Sequence, residues 1–282
     1  MAADAARGWE WRAWGSALAP WILAFGGLVA MARAQAAPLE EVPFITTPDR
    51  VTRLMLEMAE VGPQDVLIDL GSGDGRIVIT AARLHGARGL GVEIVPDLVQ
   101  RSRESARQAG VADRARFEVQ DLFNTDLGDA TVITMYLLPD VNLQLRPRLL
   151  ALRPGTRIVS HDWDLGDWRP DRTETVAVPD KAVGREKLSR IHLWHVPAPV
   201  QGAWCAQGAP VLRLDALHQR VWTDSAQGSM RGVALELSGP EGSLSARWLE
   251  PGRLQVLRGA GRWSGLSGLA LVLARSQEPW IC

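Results

Sequence analysis

Residues 65–76, with the sequence DVLIDLGSGDGR, constrain the fold more than any other stretch of this chain. An apolar run typical of a buried strand leads into glycines at positions 71, 73 and 75, and apolar residues at helical spacing follow. Glycines in such a turn permit positive φ and close approach of a ligand to the backbone. Free N–H groups at the start of a helix favour negative charge. The segment predicts a strand–turn–helix unit that binds a small polar ligand.

The spacing of the glycines separates two classes of ligand. A dinucleotide site requires the pattern Gly-x-Gly-x-x-Gly at the start of its helix, and Arg76 stands where the third glycine would fall. Asp69 and Asp74 place carboxylates beside the turn, which disfavours phosphate and favours a ligand with positive charge. A glycine turn without any ligand is the alternative, and the two carboxylates argue against it.

Residues 66–76 resemble motif I of the class I S-adenosylmethionine-dependent methyltransferases. The resemblance implies an α/β fold with a doubly wound, mostly parallel sheet, and an enzyme whose methyl donor, S-adenosylmethionine, carries a sulfonium and an ammonium. It also implies that the turn and its flanks bind the donor. The candidate residues in this stretch are Asp69, Gly71, Ser72, Gly73, Asp74 and Gly75.

Two further carboxylates follow predicted strands. Glu93 ends the second predicted strand, 22 positions beyond Gly71, where nucleotide-binding α/β folds place an acidic residue on the ribose hydroxyls. Asp121 and Leu122 follow the third predicted strand, where the resemblance implies contacts with adenine. A solvated strand end is the alternative for each carboxylate. We predict that all three residues contact the donor.

The acceptor site is predicted at the ends of the fourth and fifth strands, residues 131–136 and 156–160. The resemblance implies that the end of the fourth strand faces the transferred methyl group. Tyr136, Asp162 and His161 are therefore the candidate catalytic residues, although a histidine at such a position is also a common structural hydrogen-bonding group. Class I methyltransferases that act on amide and base nitrogens carry the sequence Asn-Pro-Pro-Tyr after this strand. This chain lacks it there, which argues against such acceptors.

Segments 44–48, 71–76, 136–139 and 159–161 resemble a narrower group that includes the mitochondrial lysine methyltransferases acting on inner-membrane proteins. This resemblance implies a protein lysine as acceptor, in a protein that is itself membrane-associated. An apolar channel would lower the pKa of such an amine because burial penalises its charged form. Residues that could form the channel are Phe44, Leu137, Leu138 and Trp163. A small-molecule O- or N-methyltransferase and a non-catalytic binding protein are the alternatives.

The pattern changes after residue 197. Only about ten residues separate the fifth strand from the next strand-like run, too few for a full crossover helix. The sheet should therefore end with an antiparallel pair, residues 173–178 and 189–196. Beyond it, short strand-like runs alternate with glycine turns, and residues 200–204 resemble the Gly-x-Trp start of calycin barrels. We predict a methyltransferase domain over 37–197 and a small all-β module over 198–282, for which a small barrel is one candidate form.

The first 36 residues read as a secretory signal peptide. Two arginines precede an apolar run over 17–32, and small residues place a cleavage site before Ala37. The run is short for a spanning helix, which needs roughly 20 residues, yet an uncleaved anchor is a second interpretation. A true start at Met31, giving a cytoplasmic protein, is the third.

Composition excludes some partners and suggests one covalent link. The formal net charge of −1 provides no overall attraction to nucleic acid, and we expect no nucleic-acid partner. The chain has two cysteines, Cys205 and Cys282, without the spacing of a metal site. Because they lie near the two ends of the β module, we predict that they form a disulfide if the protein is exported. Two unrelated thiols are the alternative, expected if the protein stays in the reducing cytoplasm. The sequence does not specify an oligomeric state.

Overall fold

A computed structural model describes residues 45–181, 186–274, 276–277 and 280–282. The predicted leader, residues 1–36, and the predicted channel residue Phe44 lie outside these ranges. The described residues belong to one compact unit. Within the described ranges, no helix is both long enough and apolar enough to cross a membrane.

The first part of the chain alternates strands and helices. Most strand residues are buried, and each helix turns one apolar side to the sheet, as the periodicity of the sequence predicts. In chain order the elements are α1 Asp49–Met58, β1 Val66–Leu70, α2 Arg76–His85, β2 Arg88–Glu93, α3 Pro96–Gln108, β3 Ala115–Val119, β4 Val132–Met135, α4 Pro139–Leu150, β5 Arg157–His161, β6 Arg172–Ala177 and β7 Leu188–His195.

These seven strands form one sheet in the order β3-β2-β1-β4-β5-β7-β6. β1 pairs in parallel with β2 on one side and β4 on the other, and β7 lies antiparallel between β5 and β6. The doubly wound, mostly parallel sheet and its closing antiparallel pair are confirmed. Ligands of such sheets bind beyond the carboxyl ends of the strands, where the winding direction reverses at β1 and β4.

The sequence Thr47-Pro48 is a pattern that predicts a helix with Thr47 as its cap and Pro48 as its first residue, and the start of α1 differs from it. The helix begins at Asp49, and the cap position is Pro48, which offers no side-chain hydrogen bond. The Thr47 hydroxyl lies instead 3.4 Å from Nδ1 of His161, at the end of β5. A tertiary partner has replaced the local one, which sequence spacing cannot reveal.

The C-terminal part is an antiparallel barrel, which confirms the predicted all-β module. Eight strands close in the order β10-β11-β12-β13-β14-β15-β8-β9 around a core that includes the fully buried Trp204. The strands are β8 Gly202–Ala206, β9 Ala209–Leu217, β10 Arg220–Trp222, β11 Gln227–Arg231, β12 Ala234–Gly239, β13 Gly242–Glu250, β14 Arg253–Gly261 and β15 Ala270–Leu273. Two short strands, β16 Ser276–Gln277 and β17 Trp280–Ile281, pair with each other after the barrel.

The barrel packs against the loop that follows β5. Asp171 accepts hydrogen bonds from the backbone N–H and the ring Nδ1 of His195, at 2.7 and 2.9 Å, and its other oxygen lies 3.8 Å from Nε of Arg231 in β11. The N–H of Ala198 donates to the carbonyl of Gly232 across the junction at 2.8 Å. These bonds fix the end of β11 and the turn after it to the segments that precede β6 and follow β7.

Cys205 and Cys282 form the predicted disulfide, with Cα atoms 5.8 Å apart. The bridge joins β8 to the last residue of the chain over a separation of 77 residues. Because β15 pairs with β8, the bridge lies where the barrel closes. It therefore ties Cys282 to the place where the first and last strands of the barrel, β8 and β15, pair.

We expect Cys282→Ser to lower the free energy of unfolding of the barrel by up to about 4 kcal/mol, because the cross-link restricts the unfolded chain. Chemical denaturation of the oxidised protein and the variant measures the difference. Reduced wild type is the matched control and should behave like the variant. Equal stability of the oxidised and reduced proteins would contradict the expectation.

Candidate active site

The glycine turn after β1 satisfies its own backbone. Gly71, Gly73 and Gly75 all have positive φ, as predicted. The N–H groups of Gly71 and Ser72 donate to Val92 O at 3.0 and 2.9 Å, and those of Gly73, Gly75 and Arg76 also have acceptors within the protein. A pyrophosphate would find these donors occupied.

Individual turn residues serve different purposes. A Cβ on Gly75 would lie 2.6 Å from the Phe117 ring and 2.8 Å from Ser102 Cβ, so packing of β3 and α3 requires this glycine. The buried hydroxyl of Ser72 has no hydrogen-bond partner among the described residues. A buried polar atom without a partner is costly, and a polar ligand beside the turn would provide one.

Glu93 connects the end of β2 to the turn. Its Oε2 accepts the N–H of Gly73 at 3.0 Å, while Oε1 accepts the N–H groups of Ile94 and Val95 at 2.8 and 3.1 Å. These bonds hold the carboxylate beside the glycine turn, at the end of β2 where the sequence predicts it. Its remaining lone pairs can accept the vicinal hydroxyls of a ribose.

Asp69 is buried at the end of β1. Its Oδ1 accepts the Thr134 hydroxyl at 2.7 Å. Burial raises the pKa of Asp69 to about 7, the Thr134 hydrogen bond opposes this shift, and the charges of Asp74 and Glu93 add to it. A carboxylate that is costly to ionise becomes easier to ionise when a cation binds beside it.

Asp74 and Asp121 are occupied by local partners. Arg76 donates to both carboxylate oxygens of Asp74, with its terminal nitrogen 2.6 Å from Oδ2. Asp121 accepts the N–H of Phe123 at 2.8 Å and caps the short 3-10 turn Leu122–Asn124. Asp74 is thus paired with Arg76, although its charge still adds to the raised pKa of Asp69. Contacts of Asp74, Asp121 and Leu122 with the donor remain predictions.

Apolar side chains that sequence reasoning missed follow β2 and β3. Ile94 comes directly after Glu93 and is 61% exposed, and Phe123 comes two residues after Asp121 and is 37% exposed. An apolar side chain beside each ribose or adenine candidate suits a planar base. With the Glu93 carboxylate and the orphan Ser72 hydroxyl, these residues fit an adenosine ligand. Their positions in the sequence, next to Glu93 and close after Asp121, could have identified them as candidate contacts for the base.

Tyr136 lies directly after β4, beside His161. The two ring centroids are 3.9 Å apart, and His161 is buried, with Nε2 2.8 Å from the Ser189 hydroxyl. Burial lowers the pKa of His161 to about 4, against the attraction of Asp162, so the ring is neutral near pH 7. His161 therefore supports Tyr136 from within the protein. Its direct participation in the reaction stays a prediction.

Asp162 presents a charged carboxylate next to Tyr136. Its Oδ2 accepts the Tyr136 hydroxyl at 3.4 Å and Nζ of Lys181 at 2.7 Å, and its Oδ1 accepts the N–H of Arg190 at 3.0 Å. Burial alone would raise the pKa of Asp162, but the Lys181 hydrogen bond and further partners hold it below the usual value. Burial, followed by the charge of Asp162, raises the pKa of Tyr136 to about 12. Lys181 was not predicted as a member of this site.

Asn142 of α4 fixes the loop after β5. It is completely buried, and its amide nitrogen donates to the Ser160 hydroxyl and to the carbonyls of Trp163 and Asp164 at 3.2 to 3.3 Å. Asp162 lies within this loop and has a left-handed φ of 66°. The buried amide thereby positions the Asp162 backbone, a role that no sequence motif indicated.

The donor and acceptor regions touch through Leu137. A Cβ on Gly71 would lie 2.8 Å from Leu137 Cδ2, so the segment after β4 lies against the glycine turn. Leu138 and Trp163 are 46% and 44% exposed on the acceptor side. The site therefore combines a polar donor turn, an ammonium-binding carboxylate and exposed apolar side chains adjacent in sequence to Leu137 and Asp162. Such an arrangement suits transfer of a group from a nucleoside-type donor to an amine.

Residues 69–172 match the family described as the ANTKMT methyltransferase domain. A protein-lysine N-methyltransferase of Saccharolobus islandicus is 42% identical over 141 residues, which cover 49% of this chain and 86% of that protein. The chain belongs to this family of S-adenosylmethionine-dependent methyltransferases. The predicted class I membership and the predicted donor are thus confirmed.

Two further relatives of the methyltransferase differ in how much of their own length matches. The adenine nucleotide translocase lysine N-methyltransferase of Mus musculus is 33% identical over 46% of this chain and 57% of its own. A Salinibacter ruber structure in complex with S-adenosyl-L-homocysteine, described as an RNA methyltransferase, is 52% identical, with a TM-score of 0.50, over 55% of this chain and 96% of its own. The chain thus spans little more than half the length of the Mus musculus relative.

Glu93→Ala should weaken donor binding by ten- to a hundred-fold, because a hydrogen bond to a charged group contributes about 1.5–3 kcal/mol. Gly73→Val should abolish binding, because valine is strained at the φ of 53° that Gly73 adopts. Calorimetric titration with S-adenosyl-L-homocysteine measures both effects. Glu118→Ala, on the exposed side of β3, is the control and should bind normally. Wild-type affinity in both site variants would contradict the assignment.

Affinity for S-adenosylmethionine should rise with pH through about 7, the pKa of Asp69. Below that pH the buried carboxyl is neutral and does not attract the positively charged donor, whereas above it the carboxylate does. Asp69→Asn should bind weakly and without this pH dependence. Titrations on either side of pH 7, for wild type and variant, test the expectation. A parallel pH profile in the two proteins would refute it.

Proposed function

We propose that the chain transfers a methyl group from S-adenosylmethionine to the side-chain amine of a protein lysine. The main support is that Asp162 already binds an ammonium group, that of Lys181. This carboxylate follows β5 and accepts a hydrogen bond from Tyr136. The names of the Saccharolobus islandicus and Mus musculus relatives support the same acceptor. When bound, the donor supplies a methyl carbon activated by a positively charged sulfur.

The chain's own residues supply alignment and solvent exclusion. Glu93, Asp69 and the glycine turn would hold the donor. Asp162 and Tyr136 would orient the incoming amine, and neutral His161 would keep the Tyr136 ring in place. The partly exposed Leu138 and Trp163 would cover the apolar stem of the lysine and penalise its charged form. Alignment and dehydration are the main requirements of a displacement on an activated carbon.

A membrane-associated protein is the proposed acceptor partner. The Mus musculus relative is named for its action on a lysine of adenine nucleotide translocase. The exposed apolar side chains at the acceptor side are compatible with an apolar protein surface beside the target lysine.

Incubation with radiolabelled S-adenosylmethionine and a membrane extract should label protease-sensitive, nuclease-resistant bands. Asp162→Asn should reduce this labelling at least ten-fold while leaving affinity for S-adenosyl-L-homocysteine unchanged, because it removes the charge that binds the amine. Nuclease-sensitive label would support the RNA acceptor named for the Salinibacter ruber protein. Label confined to small molecules would favour a small-molecule methyltransferase, and failure to bind the donor would favour a non-catalytic binding protein.

We propose further that the protein is exported or membrane-anchored through residues 1–36. The Cys205–Cys282 disulfide supports this, because such bonds persist in oxidising compartments and are rare in the cytosol. Donor made in the cytoplasm would then have to reach that compartment.

Mass spectrometry of the protein from its native cells tests this proposal. A first residue at Ala37 is expected for an exported, cleaved protein, and an intact Met1 in the membrane fraction for an anchored one. A soluble product that starts at Met31 with two free thiols would overturn the proposal.

A further inference from the structure

Lysine is almost absent from this chain. Of 31 lysine and arginine residues only Lys181 and Lys187 are lysines, and both lie between β6 and β7. One of these two amines contacts the predicted acceptor site. The chain therefore carries very few amines on which it could act, and one of them is already at the site.

The Lys181 side chain points into the protein. It is 13% exposed, and its Nζ lies 2.7 Å from Asp162 Oδ2 and 2.6 Å from the carbonyl oxygen of Leu188. The same carboxylate oxygen accepts the Tyr136 hydroxyl. The amine is thus one hydrogen-bond acceptor away from Tyr136, and the segment after Tyr136 contacts the glycine turn through Leu137.

Lys187 provides an internal comparison. It is exposed, and its Nζ donates to the backbone carbonyl of Lys181 at 2.6 Å. That carbonyl belongs to the loop and not to the acceptor site. The two lysines share a loop and differ in whether the amine contacts the Asp162 carboxylate.

We propose that Lys181 is itself a methylation site, modified by the chain's own activity. The proposal rests on the proposed function, because it requires lysine as the acceptor. An amine held beside the reaction site by the same chain has a high effective concentration. The reaction should therefore occur within one molecule.

The hydrogen bonds of Lys181 also specify how far the reaction proceeds. A lysine ammonium has three N–H donors, and Asp162 and Leu188 use two of them. The third proton leaves to solvent, and the nitrogen lone pair forms the bond to the methyl carbon. The carbon–sulfur bond breaks with its electron pair going to sulfur, and a neutral thioether results. The product is a monomethylammonium that keeps both hydrogen bonds, whereas a second methyl would cost one of them.

Mass spectrometry of the full chain, incubated alone with isotope-labelled S-adenosylmethionine, tests the proposal. One methyl group per chain is expected, located on Lys181 in a peptide digest. Label should fall to background in Lys181→Arg and stay unchanged in Lys187→Arg, which conserves charge in the same loop. The labelled fraction at a given time should not change when the protein is diluted.

A parallel reaction with the membrane extract separates this inference from the proposed function. Labelled extract proteins with an unmodified Lys181 would overturn the inference and leave the function intact. No label on either would overturn both. Equal label on Lys181 and Lys187, or a labelled fraction that falls on dilution, would show non-specific transfer between molecules and would also overturn it.

Discussion

The parallel pairing of β1 with β2 on one side and β4 on the other is the constraint on which the site depends. It directs the donor-side residues and the acceptor-side residues to the same side of the sheet, beyond the carboxyl ends of the strands. At the amino ends of the strands, Asp65 accepts a hydrogen bond from the Thr131 hydroxyl at 2.7 Å and forms an ion pair with Arg157. These residues lie at the amino ends of β1, β4 and β5. A polar clamp at one end of the strands therefore fixes the register that aligns the functional ends.

Burial of the Asp65 carboxylate would raise its pKa, but the Thr131 hydrogen bond, the Gly62 N–H and Arg157 lower it overall. The clamp consequently stays charged at neutral pH, and its contribution to stability is lost only as the pH falls through this lowered pKa. Arg157 also donates to the carbonyl of Ala59 after α1 at 2.6 Å. The end of α1 is thus attached to the same group of polar residues, Asp65, Thr131 and Arg157. This contact holds the helix against the amino end of the sheet.

Local patterns in the sequence predicted most of the fold and the donor side. Glycine spacing, apolar periodicity and a carboxylate after a strand are short-range signals, and the structure places Glu93 against Gly73 as these signals indicate. The spacing could not show that Arg76 neutralises Asp74, because that depends on side-chain direction. Local patterns predicted the C-terminal part as an all-β module with a barrel as a candidate form. They could not show that the strands close, because closure depends on pairing between residues far apart in the chain.

The acceptor side was less predictable for the same reason. Tyr136, His161 and Asp162 were found because each follows a strand, but their roles are set by distant partners. Burial, aided by the charge of Lys181, lowers the pKa of His161 and keeps the ring neutral, and Lys181 keeps Asp162 charged. Asn142 and Lys181 carry no motif, since one belongs to a helix face and the other to a loop between edge strands. Only their contacts identify them.

The protonation states at the acceptor side also restrict the mechanism. The pKa of Asp162 is lowered, so this carboxylate binds an ammonium well and retains a proton poorly. The pKa of Tyr136 is raised to about 12, so its hydroxyl is a donor and not a base near neutral pH. His161, with a pKa of about 4, is a weak base and is buried. No described group among these three is a strong base at neutral pH. The proton of an acceptor amine must therefore pass to solvent before the methyl group is transferred. The apolar side chains of Leu138 and Trp163 would assist this step by destabilising the charged amine.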